Sequence, residues 1–238
     1  MSDITFNGFR SEGVQLLVDL KDNNDRKWFE SHRSTFETGL FNPARSFVTT
    51  MGEELKTKVP GINADPRRDR SIFRIHRDTR FSKDKSPYKT HLGIFFWEGK
   101  GKKMECSGFY FHLEPPELSL YAGMHLFPAP TLKEYRNAVV DPVAGKQLLE
   151  AIRMVTESGP YRTGGLYYKR VPRGYDPGHT RAPLLRHNSL WAGWSGKIPE
   201  ELYGNGLIDL CIRRFLDMLP LHRWLVELTE KTRAARSG

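Results

Sequence analysis

The chain predicts an α+β fold: a single domain with a central antiparallel sheet of about four or more strands, packed by N-terminal and C-terminal helices. Three observations predict it. Apolar residues recur at helical spacing in the first quarter and the last third of the 238 residues. Between these stretches the period changes to two, the mark of strands. No internal repeat, low-complexity tract or linker interrupts the chain. Residues 1–238 are therefore expected to form one domain, with a core of about 6–228 and a frayed basic tail at 231–238.

The elements follow in order. Over 11–20, Val14, Leu17, Val18 and Leu20 predict a helix, which Asn23 and Asn24 interrupt. Asn24 or Asp25 is placed to cap a second helix, whose stripe is Trp28, Phe29, His32 and Phe36. Pro43 suits the first turn of a third, with Phe47, Val48, Met51 and Leu55 facing inward. Pro60-Gly61 stops it near Lys58. Four strands are predicted next, over 72–77, 92–97, 105–113 and 118–122, the last two joined by the short turn Glu114-Pro115-Pro116-Glu117. Residues 99–103, GKGKK, form a basic connection between the second and third. Helices are predicted at 130–140 and 143–156, broken by Asp141-Pro142. An irregular basic and aromatic stretch follows over 161–186. A further helix runs from about Ile208 to Leu219, where Pro220 ends it, and a last one spans 221–232.

Hydrophobic residues at 38% and aromatics at 12% exclude a disordered chain. A net charge of +9, with a pI near 9.6, has two readings. It draws the protein to phosphates, nucleic acid or anionic lipid, or it keeps the protein soluble. Cys106 and Cys211 are the two cysteines and form no CxxC pair, which argues for a reducing compartment and against a zinc ribbon. The opening MSDITFNGFRSEG has no charged-then-apolar leader, and no apolar stretch is long enough to cross a bilayer. A cytoplasmic location without a membrane partner is expected, and the oligomeric state is left open.

Two segments concentrate cations. Residues 73–96, FRIHRDTRFSKDKSPYKTHLGIFF, hold Arg74, Arg77, Arg80, Lys83, Lys85 and Lys89 among turn formers, with Tyr88 as an aromatic wall. Arginine offers a planar fork for two oxygens and lysine a point charge. With the nearby hydroxyls, the set suits a phosphate, a carboxylate or a nucleic-acid backbone. The alternative is a self-satisfied loop, in which Asp78 and Asp84 pair with Arg80, Lys83 or Lys85. Residues 169–187, KRVPRGYDPGHTRAPLLRH, set Lys169, Arg170, Arg173, Arg181 and Arg186 beside tyrosines including Tyr175. Such mixtures stack bases in sequence-tolerant binders, or pack a loop onto a core through arginine stems.

Other chemistry lacks a local signature. The eight histidines form no HxH, HxxH or HExxH pair, so no metal and no cofactor are expected. No G-x-S-x-G occurs, and GKGKK lacks the Walker spacing. For acid–base chemistry the pKa range nominates His76, His91 or His179, and His91 is the one named for proton transfer.

NNDRKWFESHR at 23–33, the 73–96 segment, FYFHLEP at 109–115 and KRVPRGYDPGH at 169–179 together resemble the domain of unknown function 2461 family. Their order and spacing fit from about Phe6 to Leu228. The resemblance implies a stand-alone soluble domain and brings no activity with it. It also implies that the two basic loops matter together. Where the family often reads isoleucine-tyrosine after the first arginine, this chain has Ile75-His76. The functional expectation is a two-loop site that binds a phosphate-bearing or other anionic ligand through Arg74, Arg77, Arg80, Lys83, Lys85, Tyr88, Lys89, Arg170, Arg173 and Tyr175. The alternatives are nucleic-acid binding without catalysis, or docking of an acidic protein partner. Whether a reaction follows is left open.

Overall fold

A computed structural model describes residues 5–237. The α+β class holds, with an antiparallel sheet of six strands. In chain order the elements are α1 (Ser11–Asp19), α2 (Arg26–Ser31), α3 (Arg33–Phe36), a π-helical turn Glu37–Phe41 and α4 (Asn42–Lys58). Then come β1 (Ile62–Asn63), β2 (Leu92–Glu98), β3 (Gly108–Glu114), β4 (Glu117–Met124), α5 (Ala129–Val140) and α6 (Pro142–Glu157). The chain closes with β5 (Arg162–Leu166), α7 (Ala182–Leu185), β6 (His187–Lys197), α8 (Gly206–Asp217) and α9 (Leu219–Ser237). The strands are ordered β1-β2-β3-β4-β6-β5. No helix among the described residues is long and apolar enough to cross a membrane.

The chain divides into two compact units, the first comprising Met1–Phe96, Tyr110–Leu120 and Ser195–Arg213. Its core is aromatic. Phe47 of α4 lies 5.2 Å from Phe6 and 5.0 Å from Phe111 between ring centroids, and Phe9 stacks on Phe111 at 5.9 Å. Edge-on and offset pairs at these spacings add to the area they bury. Asp25 caps α2 by accepting from the Trp28 N–H at 2.9 Å. Gly13 of α1 meets Gly39 so closely that a Cβ would stand 2.2 Å from the Gly39 carbonyl oxygen.

The second unit comprises Trp97–Phe109, Tyr121–Trp194 and Arg214–Gly238. Asp141 caps α6 by accepting from the Val143 and Ala144 N–H groups, with Pro142 in the first turn. The last carbonyls of α5 receive Arg181, whose guanidinium donates to Val139, Val140 and Asp141. Trp224 of α9 donates to the Ala144 carbonyl at 3.2 Å.

Five expectations are corrected. Residues 72–77 make only isolated bridges, Arg68 to Ile72, Ile72 to Ile94 and His76 to Tyr88. The segment leaves the sheet because its next backbone bonds go to its own loop, Arg77 N–H to the Pro87 carbonyl and the Lys89 N–H to Ile75. The third strand starts at Gly108, after a 3-10 turn at Lys103–Glu105. The stretch 161–186 is irregular only in part, because β5 opens it and pairs with β6, a strand not anticipated. Pro220 lies in the first turn of α9, where its missing N–H costs nothing, and α8 stops at Asp217. Helix α9 also carries the expected frayed tail on to Ser237.

Candidate functional site

The first basic loop, 78–90, is closed at its base by Tyr88. Asn24 holds that residue on both sides, accepting from its N–H at 2.9 Å and donating to its carbonyl at 3.0 Å. The Tyr88 ring stacks on Phe29 at 4.1 Å and is 3% exposed, so it serves the core and does not wall a ligand from solvent. Burial pushes its hydroxyl pKa upward.

The loop cations divide into two kinds. Arg77 is bonded to Asp84 and to the Ser86 carbonyl, and Arg80 makes two bonds to Asp78 at 3.0 and 2.7 Å. The bond to Arg80 holds the Asp78 carboxyl down at about 2. Asp84 lies lower still, chiefly through Ser86 and then Arg77. Lys85 donates to the Thr79 carbonyl at 2.9 Å, and the Lys89 ammonium lies 5.5 Å over the Phe73 ring. Arg74 and Lys83 are exposed and make no hydrogen bond or ion pair among the described residues. Phe81, two residues before Lys83 in the chain, is 96% exposed.

The second loop lies in the second unit and divides in the same way. Arg181 caps α5, Arg186 donates to the Tyr168 carbonyl at 2.9 Å, and the Tyr175 hydroxyl donates to Asn137 at 3.0 Å. Lys169, Arg170 and Arg173 are exposed and have no hydrogen-bond or ion-pair partner among the described residues. Tyr167 next to them is 68% exposed.

His91, placed just before β2, belongs to a cluster that the sequence reading did not gather. His112 and Glu114 alternate on β3 and therefore share a face. The His91 and His112 rings lie 4.5 Å apart, and His112 Nε2 is 3.2 Å from Glu114 Oε2. Burial, reinforced by His112, pushes the His91 imidazole down to about 4. Burial raises Glu114, but the bonds from His112 and Thr90 outweigh it and hold the carboxyl below its usual value. The signal available in the sequence was the His-x-Glu spacing, which runs from the end of a predicted strand into its turn.

A second network was equally invisible. Ser107 Oγ lies 2.9 Å from His222 Nδ1, and His222 Nε2 lies 2.8 Å from Glu98 Oε2. The residue types are those of a hydrolytic triad, yet Ser107 and His222 are each 0% exposed. A substrate carbonyl has no approach to the hydroxyl, so the network is structural.

Fold and loops together define an α+β protein that presents unpaired cations on irregular segments. The model of the family described as conserved hypothetical protein (DUF2461) matches residues 12–224, and the chain belongs to that family. No curated protein and no solved structure matches the chain.

Proposed function

We propose that the protein binds a phosphate-bearing anionic ligand through the exposed cations of its basic loops, each loop acting as a binding element in its own right. The observation that carries this reading is the set Lys83, Lys169, Arg170 and Arg173, which make no hydrogen bond or ion pair among the described residues, joined by Arg74, which feels Asp78 only through space. The neighbouring arginines Arg77, Arg80, Arg181 and Arg186 already hold oxygens. A loop built only for its own stability leaves few such cations over, and an anion gains most from those that need not first give up a carboxylate.

The flanking aromatics favour single-stranded nucleic acid within that class. Phe81 and Tyr167 stand in solvent, each two residues along the chain from an unpaired lysine, and a base stacks on such a ring whatever its sequence. The test is titration of a fluorescent single-stranded oligonucleotide at several salt concentrations. Log affinity should fall linearly with log salt, by about 0.7 for each phosphate contacted. Arg74→Ala with Lys83→Ala should reduce that slope by roughly 1.4. Phe81→Ala should weaken binding by about 1–3 kcal/mol and leave the slope alone. No binding at low salt to the oligonucleotide, and none to inorganic polyphosphate, sinks the proposal.

A further inference from the structure

We infer that His91, His112 and Glu114 form a binding site for a first-row divalent transition metal ion. One ligand atom from each residue, a ring nitrogen or a carboxylate oxygen, lies within 4.8 Å of the other two. The sheet itself produces the arrangement. Period-two alternation puts His112 and Glu114 on one face of β3, and His91, the residue that leads into neighbouring β2, stands beside them.

The geometry within the cluster suits a shared ion. Metal bonds of about 2.0–2.2 Å in a tetrahedral shell set adjacent ligand atoms roughly 3.3–3.6 Å apart. His112 Nε2 and Glu114 Oε2 already stand 3.2 Å apart, so the pair needs only a slight opening. The atoms facing away from that gap are held by other groups. His112 Nδ1 lies 3.2 Å from the Tyr110 hydroxyl, and Glu114 Oε1 accepts from Thr90 Oγ1 at 3.2 Å. Metal-binding histidines and carboxylates are commonly oriented in this way through their second heteroatom. Tyr110 is fixed in turn by a gap in β2: a Cβ on Gly93 would stand 2.4 Å from its hydroxyl oxygen.

Ligand type and access narrow the class. Two imidazoles and one carboxylate suit zinc, iron(II), cobalt(II) or manganese(II) better than calcium or magnesium, which take oxygen ligands. Three protein ligands leave at least one coordination position. The His112 and Glu114 side chains retain 22% and 44% exposure, so water or a ligand oxygen can reach that position. A closed structural site has four protein ligands and no such opening. The site is therefore of the exchangeable kind, and it stands independently of anion binding by the loops.

The experiment is titration of chelator-treated protein with Zn²⁺ by calorimetry and with Co²⁺ by visible absorption. One ion should bind per chain, and Co²⁺ should develop the visible bands of a low-coordinate nitrogen and oxygen shell. His112→Ala and Glu114→Gln should each weaken Zn²⁺ binding by at least a hundredfold. Tyr110→Phe, which removes only an orienting hydroxyl, should weaken it by about 10–100-fold. His125→Ala, at an exposed histidine elsewhere, should leave it unchanged. Glu114→Gln preserves shape, so it decides the matter even where His112→Ala fails to fold. Absence of stoichiometric binding to the wild type, or undiminished binding to Glu114→Gln, overturns the inference.

Discussion

Asn24 acts as a strand partner made from one side chain: its amide satisfies both backbone groups of Tyr88, the residue at the root of the first basic loop. The same amide nitrogen also donates to the Leu20 carbonyl at 3.0 Å, which ties the loop to the end of α1. Asn24→Ala strands the Tyr88 N–H and carbonyl in a partly buried place, at a cost of about 1–3 kcal/mol. Urea unfolding measures that loss. Limited proteolysis within 78–87 should quicken at the same time, and unchanged cleavage would refute the clamp.

Stability should fall as the solution is made mildly acidic, and His222 contributes to that fall together with His91, His76 and His187, which burial also holds low. Burial holds the His222 imidazole below the ordinary histidine range, against the upward pull of Glu98, while Arg223 adds to the lowering. A carboxylate only accepts, so Nε2 carries the proton and donates to Glu98, and the bare Nδ1 receives the Ser107 hydroxyl. Phe109 covers the ring at 4.4 Å. The unfolded chain protonates this histidine near pH 6.5, and the folded chain only at lower pH. Its contribution is thus complete above about 6.5 and declines below, by at most about 1.4 kcal/mol per pH unit. Unfolding curves at pH 7.5 and 5.5 test the sign. His222→Asn should reduce the slope in that interval, which lies above the carboxylate range, and leave the share of the other lowered histidines.

Gly164→Ala should destabilise the protein by about 1–3 kcal/mol through overpacking. The added methyl would stand 2.2 Å from the Trp191 ring, which covers this glycine from the partner strand. Thermal unfolding reads the loss, and near-ultraviolet circular dichroism should show the indole displaced. An unshifted melting temperature contradicts the packing.

Tyr161 donates to Asp217 Oδ2 at 2.5 Å, and Arg214 spans the Tyr161 and Trp194 rings at 5.8 and 4.8 Å. Burial and the Asp217 bond push the phenol up to about 12. Tyr161→Phe should cost about 1.5–3 kcal/mol, as expected for a bond to a charged acceptor. In a spectroscopic alkaline titration, one late-ionising phenol should vanish in the variant. Tyr135 and Tyr88 are also raised by burial, so a variant curve that keeps the wild-type number of late-ionising phenols refutes the assignment.

The helices were legible because their residues carry local signals. The stripe Phe47, Val48, Met51 and Leu55 and the Pro142 start needed no tertiary information. Strands β5 and β6 were not legible, and glycine is the reason. Trp191 covers Gly164 and Tyr121 covers Gly193, so rings from neighbouring strands supply the side chains that the alternation lacks. Glycine is depleted in strands, and a reading by propensity takes such a segment for a loop. The loop cations were legible as charge, and their division into paired and unpaired members only in part. The Asp78–Arg80 pair was among the pairings expected of a self-satisfied loop, whereas Asp84 takes Arg77, which looks no different in sequence from Arg74. The His91, His112 and Glu114 cluster was hidden because His91 leads into β2 while the other two lie on β3, and only the pairing of those strands sets them side by side.

The two cysteines have a kinetic consequence. Cys211 lies in the first unit and Cys106 in the second, at 0% and 1% exposure. Burial raises both thiol pKa values. A thiol reacts as its thiolate and only on contact with reagent, so the folded protein shields both. Each becomes available when its own surroundings open. Mass spectrometry after timed alkylation thus yields two opening rates from one unmodified chain, one clock in each unit.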